Sequence, residues 1–161
     1  MRTRKLAMII ALAVVAITAL WAYAYFRDKA NTPKALAATT TQGQRFDLIS
    51  VRGKPVVINF FGSWCGPCNA EAPEVAAFAQ AHAEVAFVGV ANDTSTAADV
   101  FMHQYGLTYP VIADPNGAIL DKWGVSGVPT TVLLDGMGRE KARLVGASTR
   151  AAFEAALDKA L

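Results

Sequence analysis

The sequence predicts an α/β fold, a mixed sheet with helices on both faces, preceded by one transmembrane helix. Three observations carry that expectation. An apolar run, Val56 to Phe61, leads through Gly62-Ser63 into a helix-like stretch headed by Trp64-Cys65-Gly66-Pro67-Cys68. Beyond it, strand-like and helix-like segments alternate to the C-terminus. Ahead of it all, Leu6 to Phe26 carries no charge.

That uncharged run explains much of the 53% apolar content, which is high for a soluble domain. As a helix it would be about 31 Å long, enough for a bilayer core of roughly 30 Å. Arg2, Arg4 and Lys5 precede it, and positive flanks stay in the cytoplasm, so the C-terminal part is expected outside. A cleaved signal peptide is the competing reading, because Ala22-Tyr23-Ala24 resembles a cleavage site. The run exceeds an ordinary signal core, however, and Trp21, Tyr25 and Phe26 suit an interfacial belt, which favours an uncleaved anchor. The domains expected are a basic end over 1–5, the anchor over 6–26, a linker over 27–43 and a folded domain over 44–161. From Arg27 onward, 12 basic residues face 13 acidic ones, a net charge of −1. No basic patch points to nucleic acid.

Within the domain, Phe46, Leu48 and Val51 alternate with Asp47, Ser50 and Arg52, a weak strand or hairpin signal. Arg52-Gly53-Lys54-Pro55 makes a turn. Val56 to Phe61 suits a strand covered on both faces. Its one polar residue, Asn59, is expected to bind nearby backbone. Cys65 to about His82 reads as a helix, with Pro67 in its first turn and a break near Pro73. Val85 to Val90 is a second apolar strand. Asn92 to Ser95 offers an N-cap for a helix over Ala97 to Tyr105, which Gly106 ends. Tyr109 to Ala113 is a short strand, Asp114 to Gly117 a turn, and Ala118 to Trp123 a short helix. Thr130 to Asp135 and Arg139 to Val145 are strands joined by a glycine turn. Ser148 is expected to cap a last amphipathic helix, with Ala152, Phe153, Ala156, Leu157 and Ala160 on one face.

The chemistry centres on the chain's two cysteines. A helix N-terminus offers unpaired N–H groups and partial positive charge, so a thiolate at Cys65 is stabilised there and its pKa falls. Cys68, about one turn on, can close a small disulfide or attack a mixed disulfide formed at Cys65. A CxxC pair is also half of a zinc site, but only His82 and His103 remain as nitrogen donors, at spacings foreign to zinc modules. A purely structural disulfide over so short a loop would stabilise little.

WCGPC resembles the active site of the thioredoxin superfamily, and CxxCxxExP, ending in Glu71 and Pro73, resembles its TlpA/ResA/CcmG (DsbE) group. Val85 to Trp123 resembles that group's strand-helix insertion, and Gly127-Val128-Pro129-Thr130 its cis-proline loop. The resemblance covers Gln44 to Leu161. It implies a thioredoxin fold with a TlpA-like insertion and a membrane-anchored, periplasmic-side thiol:disulfide oxidoreductase without a cofactor or metal. It further implies Cys65 as exposed nucleophile, Cys68 as resolving thiol and Glu71 as an acid handling the Cys68 proton. Glu71 would do so where Asn59 replaces thioredoxin's ionisable acid. Trp64, Val128 and Pro129 would hold substrate. The CGPC dipeptide matches the reducing member, thioredoxin. The implied substrates are disulfides of exported proteins, such as apocytochrome c or copper-site cysteines, and the implied electron donor is a DsbD/CcdA-type membrane protein. Two alternatives are an exported dithiol oxidant and, from another class, a copper-binding assembly factor using both thiolates with Met102, His103 or Met137. A peroxiredoxin shares the fold but would place its cysteine in a Thr-x-x-Cys setting, which Ser63 to Gly66 does not offer.

Overall fold

The computed structural model describes residues 11–24 and 35–161. Residues 11–24 form helix α1, exposed throughout. The expected anchor over 6–26 runs past it on both sides, so residues 6–10 and 25–26 lie outside the described residues, as do the basic end 1–5 and the linker up to residue 34. Among the described residues, no helix is long and apolar enough to cross a membrane.

The second unit is built on a five-stranded mixed sheet. Its strands are β3 (Val56–Phe61), β4 (Ala86–Ala91), β5 (Val111–Ala113), β6 (Thr130–Leu134) and β7 (Glu140–Val145), in spatial order β5-β4-β3-β6-β7. β3 and β4 are parallel, as are β4 and β5, while β6 is antiparallel to β3 and β7 antiparallel to β6. The central position of β3 explains its unbroken apolar run, because every residue in it is buried.

Alternation along β3 divides the core in two. Val57 and Phe61 face a cluster with α2 (Gly66–Ala81), α3 (Ser95–Tyr105) and α5 (Arg150–Leu157). Val56, Ile58 and Phe60 face the other cluster, with Leu120, Trp123, Leu36, Phe46 and Leu48. Leu120 belongs to the short helix α4 (Ala118–Lys122). Helices therefore cover both faces, as the sequence predicts.

Several local expectations are corrected. The stretch 27–43 is not linker throughout: Ala37–Thr39 forms β1, antiparallel to β2 (Arg45–Asp47), and Leu36 is buried. Small residues without alternation conceal this strand, which is ordered by its pairing and by the Leu36 anchor. Leu48–Val51 is a 3-10 turn rather than strand, started by the Asp47 carboxylate, which accepts the Ile49 N–H at 2.9 Å. Helix α2 continues through Pro73 without a break. Thr149, not Ser148, caps α5, accepting the Ala152 N–H, while the Ser148 hydroxyl turns back to the Gly146 carbonyl. Thr94 caps α3, and left-handed Gly106 (φ 64°) ends it.

Candidate active site

The site sits where β3 hands over to α2. Gly62 and Ser63 make the connection, and the Asp93 carboxylate accepts the Ser63 N–H at 2.6 Å. Gly62 lets the Trp64 ring lie against the backbone: a Cβ there would be 2.7 Å from the ring and would push it aside. The Trp64 indole N–H donates to the Asn92 carbonyl at 3.1 Å, yet the residue is 65% exposed. An aromatic held at one edge and open on its face is suited to contact another molecule.

Cys65 is the N-cap of α2, its Sγ accepting the Cys68 N–H at 3.1 Å. A sulfur here occupies the role usually filled by Ser, Thr or Asp, where negative charge is favoured. Asn69 braces the turn, donating its side-chain amide to the carbonyls of Ser63 and Cys65, while its Oδ1 accepts the Tyr105 hydroxyl. Cys65 and Cys68 are joined as a disulfide, with Cα atoms 5.2 Å apart. The expectation of an openly exposed Cys65 is corrected, because it is 5% exposed and Cys68 is 2% exposed. The covering loop explains this: the Val128 carbonyl oxygen is 3.5 Å from the Cys65 Sγ. The Val128–Pro129 bond is cis, with Val128 half-buried and Pro129 buried.

Glu71 faces inward from α2 and is 3% exposed. Three residues after Cys68, it lies on the same helix face, and both line one small cavity with Asn59, Phe101, Leu107 and Pro129. Burial raises its pKa to about 7, and a side-chain hydrogen bond with Thr131 opposes the rise. Its Oε2 has no hydrogen-bond partner. The arrangement places a carboxyl that titrates near neutrality beside the inner cysteine. Glu74 is elsewhere engaged, accepting the Arg150 N–H at 2.8 Å.

Asn59 does not bind backbone as expected. Its amide donates to the Thr131 hydroxyl oxygen at 3.0 Å, because β3 and β6 pair these two residues directly. Thr131 and Tyr109 were not anticipated at the site. Tyr109 is buried, and burial with the nearby Glu71 charge pushes its hydroxyl pKa far up. The Thr-Thr pair after Pro129 is a visible signal for Thr131; Tyr109 is marked only as the first residue of an expected strand, which in the fold begins at Val111.

The residues considered for copper are not gathered here. Met102 is buried in the core and His103 is exposed on α3. Among the described residues, no group of three or more His, Cys, Asp or Glu side chains is placed to hold a metal ion.

Comparison with known proteins agrees with this geometry. A family model described as Redoxin matches residues 27–161. Thiol-disulfide oxidoreductase ResA of Bacillus thuringiensis (strain Al Hakam) is 33% identical over 124 residues, covering 75% of this chain and 72% of that protein. Soluble secreted antigen MPT53 of Mycobacterium tuberculosis (strain ATCC 25618 / H37Rv) is 38% identical over 112 residues, covering 64% and 65%. The solved structure of MTB dsbF in its mixed oxidized and reduced forms superposes with a TM-score of 0.72 at 30% identity, covering 78% of this chain and 95% of that one. With its buried CxxC disulfide at a helix N-terminus, the chain belongs to the Redoxin family and is a thiol-disulfide oxidoreductase of the thioredoxin-like class.

Proposed function

We propose that this enzyme is a membrane-anchored reductase whose domain faces the periplasm or an equivalent extracytoplasmic space. One observation carries the mechanism: Cys65 Sγ caps α2, within 3.5 Å of the Val128 carbonyl, with Cys68 and Glu71 sharing a cavity beneath. In the reduced enzyme the Cys65 thiolate, held by the Cys68 N–H, attacks one sulfur of a substrate disulfide. That bond breaks, the far substrate sulfur leaves as a thiolate, and a mixed disulfide forms at Cys65. Glu71 takes the Cys68 proton, and the Cys68 thiolate attacks Cys65 Sγ. The second substrate sulfur leaves, and two electrons have passed from the enzyme dithiol to the substrate. Val128 and Pro129 align the substrate backbone next to Cys65, and exposed Trp64 supplies an apolar contact.

The substrates proposed are disulfides of exported proteins, with apocytochrome c and copper-site cysteines as the leading classes. Because such a compartment is oxidising, a membrane donor of the DsbD/CcdA type would return the electrons. Support for the reductase direction comes from the CGPC sequence, while similarity to a protein named thiol-disulfide oxidoreductase supports the reaction class alone.

The test is a redox titration of the Cys65–Cys68 pair against glutathione, combined with Cys68→Ala. A potential close to the roughly −270 mV of thioredoxin is expected, and Cys68→Ala should accumulate exported proteins as mixed disulfides through Cys65. A potential near the roughly −120 mV of a strong oxidant would reverse the direction. Trapping through Cys68 in a Cys65→Ala variant would reverse the cysteine roles.

A further inference from the structure

Asn59 and Thr131 stand opposite each other across β3 and β6, so their side chains rise from the same face of the sheet. That face is the one α2 covers, since Val57, Phe61 and Leu133 on it pack against α2. Both polar residues are buried. The Asn59 amide nitrogen can only donate, and it donates to Thr131 Oγ1 at 3.0 Å. A hydroxyl that accepts from one side has a single proton left to give. Glu71, on α2, lines one cavity with Asn59, and Thr131 is the side chain that lowers the pKa of its carboxyl. The Glu71 Oε2 has no hydrogen-bond partner.

We infer that Asn59 and Thr131 are positioning residues for Glu71: the Asn59 amide fixes the Thr131 hydroxyl so that its proton is aimed at the Glu71 carboxylate. The chain of donors runs one way, from amide to hydroxyl to carboxylate. A carboxylate that accepts two or three donors is held strongly ionised, whereas Thr131 is the one hydrogen-bonding group that lowers the pKa of Glu71. The result is a group balanced between two opposed effects, burial raising its pKa and one hydroxyl lowering it, which together leave it near 7. The other groups around Glu71 are Cys68 on its own helix and Tyr109 ahead of β5, whose buried hydroxyl has no hydrogen-bond partner. Neither offers the carboxylate a second donor in this arrangement. Burial therefore sets the upward displacement of Glu71, and Thr131 trims it.

This inference rests on the proposed role of Glu71 in moving the Cys68 proton, but its test does not. The full-length oxidised protein, labelled with 13C at glutamate carboxyls, is titrated by NMR, with the Glu71 signal assigned by its loss in Glu71→Gln. Thr131→Val should move the Glu71 midpoint upward by about one pH unit, the size expected for losing one hydrogen bond to a charge. Thr131→Ser, which keeps the hydroxyl, should restore most of it. Asn59→Ala, which frees the hydroxyl to rotate, should give a smaller upward shift. An unmoved or lowered midpoint in Thr131→Val overturns the inference. So does Tyr109→Phe producing the larger shift. If Thr131→Val proves too unstable to titrate, Asn59→Ala against Thr131→Ser decides: both midpoints matching the unaltered protein overturns the inference, and a rise confined to Asn59→Ala supports it. The pH profile of disulfide reduction separates the two readings. A moved Glu71 midpoint with an unmoved profile leaves the Asn59–Thr131 assignment standing and removes Glu71 from the reaction. A profile that depends on Glu71 while Thr131→Val changes neither quantity does the opposite.

Discussion

Glu71 charges the folded state a cost that depends on pH. Its folded pKa of about 7 lies above the ordinary 4.5, so the neutral form is favoured by folding. The contribution of Glu71 to stability is greatest below about 4.5 and is lost as pH rises from there through about 7, where the folded carboxyl also ionises. Glu71→Gln abolishes that dependence. We expect the oxidised Glu71→Gln variant to gain on the order of 2–3 kcal/mol relative to the parent between pH 5 and pH 8, read from denaturant midpoints at both pH values. Equal pH dependence in the two proteins would remove the buried-acid reading. The three-residue spacing puts Glu71 on the helix face of Cys68 and was legible in the sequence, but whether that face turns inward was not. Nor were the partners of Glu71. Thr131 lies 72 residues from Asn59, and only the β3–β6 register brings the two opposite each other. Period-2 alternation gives the face of a strand residue but never the identity of the residue across from it.

At the level of elements, the C-terminal end of α2 is tied to α5 through His82. Its Nδ1 lies 2.7 Å from a Glu84 carboxylate oxygen and its Nε2 2.8 Å from one of Glu154, while Arg150 also bonds Glu154. A neutral imidazole donates from one nitrogen only, so both contacts are satisfied when His82 is doubly protonated. Its pKa is raised accordingly, chiefly by the Glu84 hydrogen bond. A raised histidine pKa contributes stability that is fully present below the unfolded value of about 6.5 and is lost as pH rises through the folded value. His82→Gln should therefore melt several degrees below the parent at pH 6, with the gap closing at pH 9; a gap that persists at pH 9 would show that packing on Phe78, not charge, makes the tie. Strong apolar patterning made β3, β4, β6 and the helices visible in the sequence. Weakly patterned β1 escaped notice, and Pro73 suggested a break that α2 does not have. An interior proline forfeits one N–H bond, and the packing of Ala72, Val75, Ala76 and Phe78 on either side of it outweighs that loss.

For the whole molecule, the anchor and the domain boundary lead to separate experiments. The proposed anchor predicts that the mature protein stays with membranes through alkaline washing and keeps its N-terminal segment by intact mass. A mass beginning at Tyr25 would mean a secreted domain instead. Shortening the chain to begin at Gln44, the boundary read from the sequence, would remove β1 and the Leu36 anchor and leave Phe46 and Leu48 less covered. That chain should lose roughly 2–4 kcal/mol against one beginning at Ala35, as expected for deleting a buried leucine and its strand pairing; equal urea midpoints would make the hairpin dispensable. The sheet order has one further consequence, for association between copies. A sheet of five strands has two rims, and an open rim invites a foreign strand. The β5 rim is three residues long, and the Thr41 N–H already occupies its Val111 carbonyl at 2.8 Å. At the β7 rim, Glu140, Lys141 and Arg143 put charge where a docking strand would have to lie flat. Both rims are thereby guarded against pairing with a foreign strand, and the sheet stays a five-stranded unit.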